Sequence, residues 1–312
     1  MNDFRHFYAF HSCFHLFLIV CHGNKFLFSS RQLNFQTRLR EFLCNTSISA
    51  AAYAPDPTPC LMQHNAFMVY RIAVPCDYLK DECWSFVAIR DGWIIVSFRG
   101  TRTKVQLIAE LIETMSEPKK KVPSSLSNYF LFQCFYMINL HLKIYPRYQV
   151  LFTGHSLGGA LASLASIVFA HRHPALQYML FLRINLVTFG QPRVGNYEYA
   201  EAHSRLVPNS WRIVHKYDLV AHLPACAFRF FSHSCTPLLN HSPYHHGTEV
   251  WFPMNMTNNS IFRICEGTPQ FEDDKCSNGY YLHYGVKDHL RYFEHDVSKY
   301  GSNGCVDVTD LD

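Results

Sequence analysis

Gly154-His155-Ser156-Leu157-Gly158 sets a serine between two glycines in the G-x-S-x-G spacing of a nucleophile elbow. The chemistry needs a hydroxyl exposed on a sharp strand-to-helix turn. Side chains two residues before and two after it would collide with the neighbouring strand and helix, which accounts for the glycines. The five residues alone arise by chance in roughly one chain in ten of this length. Their flanks supply the required context. Tyr148-Gln149-Val150-Leu151-Phe152 is β-rich, and Gly159, Ala160, Ala162, Ser163 and Ala165 suit a helix packed close beneath the turn.

A serine hydroxyl attacks poorly until a base takes its proton, and that base is commonly a histidine held in one tautomer by a carboxylate. With this elbow the chain order is serine, acid, histidine. Asp218 is the first carboxylate after Ser156 that follows an apolar strand and precedes a loop, whereas Glu198 and Glu201 sit in a polar, helix-like stretch. The histidine stays open on position alone, among His222, His233, His241, His245, His246, His283, His289 and His295. His245-His246 has the look of a metal pair, but no partner ligands accompany it, and neither metal nor organic cofactor is called for. Developing negative charge on the substrate oxygen needs two backbone N–H donors, one after the nucleophile and one from a loop ending a neighbouring strand. Leu157 suits the first. Thr101, closing Ser97-Phe98-Arg99-Gly100-Thr101, suits the second, although those residues equally suit a plain strand end with a turn glycine.

These groups need a scaffold. Trp84 to Arg90 and Trp93 to Phe98 read as strands joined at Asp91-Gly92, a hairpin signal. Val69 to Val74, Ile184 to Phe189 and Trp211 to His215 read as further strands. Phe35 to Tyr53, Thr103 to Met115 and Leu126 to Tyr145 have helical spacing. Strands alternating with helices predict an α/β domain with a largely parallel sheet and its site at the carboxyl ends of the strands. Residues 116–125, with Lys119-Lys120-Lys121, read as a solvated loop, with a lid hinge as the alternative.

The chain has 312 residues, 48% of them hydrophobic, with no repeat and no long linker, which predicts one domain over residues 24–312. A net charge of +4 from scattered basic residues does not point to nucleic acid. Twelve cysteines suggest an oxidising compartment. The Cys76–Cys83 spacing suits a small disulfide loop, and Asn45, Asn255 and Asn258 head glycosylation sequons. Residues 1–23 carry a short apolar run, Phe14 to Val20, that reads as a signal peptide. No stretch offers the roughly 20 apolar residues of a membrane span.

In sequence the chain resembles the fungal-type class 3 lipases, particularly their secreted animal relatives. The stretches that carry the resemblance are Val74-Pro75-Cys76-Asp77, Ser97 to Thr101, Thr153 to Leu161, Leu186 to Gly195, Asp218-Leu219-Val220, Glu249-Val250-Trp251 and Asp288 to Phe293. The resemblance implies a disulfide-stapled α/β-hydrolase fold with helices on both faces of the sheet. It implies Ser156 as nucleophile, Asp218 as orienting acid, His289 as base, and the Thr101 and Leu157 amides as oxyanion donors. It further implies disulfides Cys60–Cys305, Cys76–Cys83 and Cys265–Cys276. Cys44, Cys134, Cys226 and Cys235 fall outside that pattern, and a Cys226–Cys235 bridge stays open. Between Thr101 and Ser156, where the family places its lid, the chain is shorter than in the animal relatives.

The expectation is a secreted carboxylic ester hydrolase acting on lipid ester, triacylglycerol first. Two rivals stand beside it. One is the same machinery turned on phospholipid or soluble ester; the other is a secreted lipid-binding protein without turnover.

Overall fold

The computed structural model describes residues 35–75, 82–101, 129–174, 184–227, 235–236, 242–257, 260–266 and 270–306. Among the described residues eight strands of one sheet follow one another in space as in sequence: β1 (Phe67–Pro75), β2 (Glu82–Arg90), β3 (Trp93–Phe98), β4 (Gln149–His155), β5 (Ile184–Phe189), β6 (Asn209–His215), β7 (Thr248–Phe252) and β8 (Arg263–Cys265). β1, β2 and β3 form an antiparallel meander, β3 to β7 run parallel, and β8 returns antiparallel. The β2–β3 turn is the expected two-residue hairpin, with Arg90 opposite Trp93 and Gly92 at φ +77°. That left-handed conformation is what Asp-Gly supplies.

Why the parallel strands read as continuous apolar runs is clear from the burial. All six residues of β3 and of β5 are buried, because helices cover both faces of the sheet. Helices α1 (Phe35–Ala51), α2 (Thr58–Met62) and α7 (Val297–Ser302) lie on one face, over Ile95, Leu151 and Val187. Helices α3 (Tyr129–Ile144), α4 (Leu157–Arg172) and α5 (Tyr197–Leu206) cover the other, over Val96, Phe152 and Leu186. Successive strand residues therefore feed two separate cores, as the two-residue period requires. The short helix α6 (Val286–Leu290) and the two-residue strands β9 (Arg291–Tyr292) and β10 (His295–Asp296) lead into α7.

Disulfides join Cys60 to Cys305, Cys226 to Cys235 and Cys265 to Cys276. Cys44 and Cys83 are also disulfide-bonded, which answers for Cys44 a pairing that the family pattern left open. Cys76 lies outside the described residues. Cys134 is a buried free thiol packed under β2, where Ser85 Oγ lies 3.2 Å from its sulfur, and burial pushes its pKa up to about 11.

One expectation is corrected here. Asn45 lies inside α1 at 1% exposure with both amide atoms sealed from solvent, so the folded chain offers no room for a glycan there. Asn255 is exposed. Asn258, the leader, the expected helix from Thr103 to Met115 and the Lys119–Lys121 run lie outside the described residues. No helix among the described residues is long and apolar enough to cross a membrane.

Candidate active site

β4 ends at His155, and α4 begins at Leu157, so Ser156 occupies the joint between them. Its backbone is held at φ +60°, ψ −132°, a conformation that costs a non-glycine residue about 1–3 kcal/mol. The surroundings over-determine it: the Ser156 amide donates to Phe189 O at 2.9 Å, tying the turn to β5. A Cβ on Gly154 would lie 2.4 Å from the Gly158 backbone, and one on Gly158 would lie 2.2 Å from Phe98 O. The two glycines are thus explained by close approach, first of strand to helix and then of helix to the end of β3.

Asp218 follows β6 by three residues. Its Oδ1 accepts from the amides of Val220 (2.8 Å) and Ala221 (3.2 Å), which open a 3₁₀ turn, and its Oδ2 accepts from the Tyr292 hydroxyl at 2.6 Å. Burial would raise this carboxyl's pKa. The charge and hydrogen bond of His289, the Tyr292 hydroxyl and the Ala221 amide outweigh burial and hold it at about 2. The carboxylate is therefore ionised at neutral pH although fully enclosed.

His289, in α6, completes the line. Its Nδ1 lies 3.0 and 2.9 Å from the two Asp218 oxygens, and its Nε2 lies 2.8 Å from Ser156 Oγ. With Nδ1–H donating to the carboxylate, Nε2 is left as the acceptor for the serine proton. The acid and base segments are also tied by main chain: Gly285 N–H donates to Tyr217 O at 2.9 Å, and Leu219 N–H to Gly285 O at 3.2 Å. Such a serine–imidazole–carboxylate chain can attack an ester carbonyl and then protonate the departing alcohol.

The other histidine candidates go elsewhere. His222 bonds the main-chain oxygen of Asp218 through Nδ1 (2.7 Å) and meets Ser277 Oγ through Nε2 (3.0 Å). His245 donates through Nε2 to Ala221 O (2.7 Å) and faces Glu272 with Nδ1 (2.9 Å), and His246 meets Ser163 and Gln191. Among the described residues neither belongs to a metal-type cluster. His283 lies against Tyr217 and His295 stacks on Tyr300, while His233 and His241 lie outside the described residues. Glu249, Cys265 and Cys276 bring three ligand-type groups together, but both sulfurs are joined in a disulfide. Glu249 is bonded to Ser277 and Arg212.

Thr101 is half-buried just past β3. The preceding Gly100 is so near the elbow that a Cβ on it would lie 3.1 Å from Ser156 Cβ. Leu157, at 36% exposure, opens α4. Leu157 thus follows the serine directly, and Thr101 follows the glycine that approaches it.

Several supporting residues carried no role in the sequence. Tyr292 lies in the Asp288 to Phe293 stretch, yet only the fold brings its hydroxyl to Asp218. Gly190, at φ +58°, passes so close to the acid and base that a Cβ would lie 2.6 Å from Asp218 Oδ2 and 2.8 Å from His289 Nδ1. Arg193 is buried, paired with both oxygens of Glu272 (2.8 and 2.9 Å), and donates to the main-chain oxygens of His222 and Pro224. It thereby fixes the loop that leaves Asp218.

The fold and this arrangement define a serine hydrolase of the α/β-hydrolase class. Residues 95–228 match the family model described as lipase (class 3). A Caenorhabditis elegans protein described as a lipase is 36% identical over 286 residues, which is 83% of this chain and 80% of that one. A Rhizopus niveus lipase is 32% identical over 272 residues, 82% of this chain and 64% of its own length. A solved triacylglycerol lipase, described as having a serine-protease triad as its catalytic centre, superposes with a TM-score of 0.66 at 26% identity, covering 84% of this chain and 96% of that one. The chain belongs to the class 3 lipases.

Proposed function

We propose that this chain is a secreted carboxylic ester hydrolase acting on glycerolipid, triacylglycerol first, with Ser156 as nucleophile, His289 as base and Asp218 as orienting acid. The observation that carries the reading is the unbroken line from the Asp218 carboxylate through His289 to Ser156 Oγ, ending on a serine held at φ +60°. Ser156 Oγ attacks the ester carbon as His289 Nε2 takes its proton. The Thr101 and Leu157 amides receive the oxyanion. His289, now an imidazolium steadied by ionised Asp218, protonates the leaving alcohol, and water deacylates the serine through the same base. One hydrolase domain over residues 24–312, an export signal in residues 1–23 and a glycan on exposed Asn255 complete the proposal. The disulfides and the fungal lipase relatives support an extracellular setting.

The test is hydrolysis of emulsified triacylglycerol and of short-chain soluble ester, with wild type and Ser156→Ala side by side. Serine-dependent turnover that is greater on the emulsion supports the proposal. Turnover on soluble ester alone would overturn the triacylglycerol assignment, and no serine-dependent turnover on either would overturn the whole reading.

A further inference from the structure

His155 precedes the nucleophile and is 3% exposed. Its ring lies face to face with that of His289, with centroids 4.7 Å apart and planes 23° apart, while Tyr292 meets it edge-on at 5.6 Å. Its two nitrogens face different partners. Nε2 lies 2.9 Å from the main-chain oxygen of His289, and Nδ1 lies 2.9 Å from the Tyr53 hydroxyl.

Those partners fix its protonation. A carbonyl oxygen can only accept, so Nε2 carries a proton. Burial, reinforced by the neighbouring His289, lowers the pKa to about 3, so the ring is neutral and Nδ1 keeps its lone pair. The Tyr53 hydroxyl is then the donor. Tyr53 is itself 1% exposed and follows the end of α1, so the contact joins α1, β4 and α6 across separations of 102 and 134 residues.

The base needs this support for a local reason. Helix α6 has only five residues and no side-chain N-cap. The last four carbonyls of any helix lack an intrahelical donor, and so short a helix has little stability of its own. His289 is the fourth of the five, and its carbonyl is directed into a buried space. Without His155 that oxygen would be buried and unpaired.

We propose that His155 is a positioning residue for the base: its Nε2–H anchors the His289 main chain while its flat, uncharged face sets the plane of the His289 ring. The proposal rests on the reading of His289 as the base for Ser156. It accounts for the residue type. A lysine or arginine could donate but would place a positive charge against the imidazolium that forms during turnover; an aliphatic residue could pack but not donate.

Two variants separate the two contributions. His155→Phe keeps a flat face and loses the donor, and His155→Gln loses the ring but restores an amide donor near the old Nε2. Turnover of a soluble p-nitrophenyl ester is normalised to sites titrated with a fluorophosphonate, so that loss of folded protein drops out. For His155→Phe we expect kcat per titrated site to fall by about tenfold or more with KM within about twofold, consistent with a lost buried hydrogen bond beside the base. His155→Gln should recover at least half of that loss on a logarithmic scale. Unchanged kcat per site in His155→Phe, or equal impairment of the two variants, would overturn the proposal. Should the variants fail to fold, nitrogen NMR of wild type decides. Residue 155 must hold the neutral Nε2–H form between about pH 5 and pH 9, against the ordinary midpoint near 6.5; titration in that range or an Nδ1–H tautomer overturns it. If no site titrates, or Ser156→Ala turns over like wild type, the triad reading itself has failed and takes this proposal with it; silent His155 variants on titratable enzyme sink the proposal alone.

Discussion

Gly190→Ala tests how tightly the acid and base are confined. A methyl at this position would meet Asp218 Oδ2 at 2.6 Å and His289 Nδ1 at 2.8 Å, about 0.8 and 0.6 Å inside the 3.4 Å where ordinary contact begins. Neither neighbour can yield cheaply, because the carboxylate is held by two amides and a hydroxyl and the imidazole is held by that carboxylate. A displacement of that size lengthens the 2.8 Å path from His289 Nε2 to Ser156 Oγ, and a misplacement near 1 Å costs about a hundredfold in rate. The substitution also forces alanine to φ +58°, worth about 1–2 kcal/mol, or a few degrees of Tm. Gly92→Ala isolates that second cost, since Gly92 sits at φ +77° with no atom within 4 Å of a Cβ. The expected result is a Tm loss in both variants, larger in Gly190→Ala because the clash adds to the backbone cost, with kcat on soluble ester about a hundredfold down in Gly190→Ala and unchanged in Gly92→Ala. Equal kcat in the two would refute the steric argument.

Asp218→Asn should lower kcat by up to about 10⁴-fold, because the imidazole loses the partner that fixes its tautomer. The same carboxylate, with its folded pKa at about 2 against an ordinary 3.8, stabilises the fold at pH values above 3.8, and that contribution is lost as pH falls from 3.8 through about 2. Urea midpoints measured against pH should therefore show a shallower acid loss in the variant. Tyr292→Phe removes the 2.6 Å donor to Asp218 Oδ2, so kcat should fall about tenfold and the Asp218 pKa should rise, read from the same acid titration of stability. Replacing Cys60 and Cys305 together by alanine opens a link between residues 245 apart. Calorimetry should show a loss of about 3–5 kcal/mol, while turnover per titrated site stays the same.

Much of the scaffold was legible because its signals are local. The Asp91-Gly92 hairpin and the apolar run Ile184 to Phe189 are found where the residues put them, since a tight turn and a doubly covered strand each write their own pattern. Ser156 was legible for the same reason: glycines at fixed offsets record a packing constraint. What failed to show depends on distance. β8 is three residues long, too short for any period, and exists because β7 offers it an edge. His289 could not be singled out by position among the late histidines, and only the resemblance separated it from His222 or His295. The roles of Tyr53, His155 and Tyr292 arise where α1, β4 and the chain's end converge. Asn45 misled in the opposite direction, because a three-residue sequon carries no information about the helix face on which it is buried.

In the proposed mechanism Ser156 is a nucleophile activated by His289. Labelling by a fluorophosphonate, with the modified peptide identified by mass spectrometry, tests it most directly. Rapid labelling at Ser156 is expected in wild type, none in Ser156→Ala, and severely slowed labelling in a folded His289→Ala. Labelling at another serine, or labelling of Ser156 at an unchanged rate without His289, would contradict it.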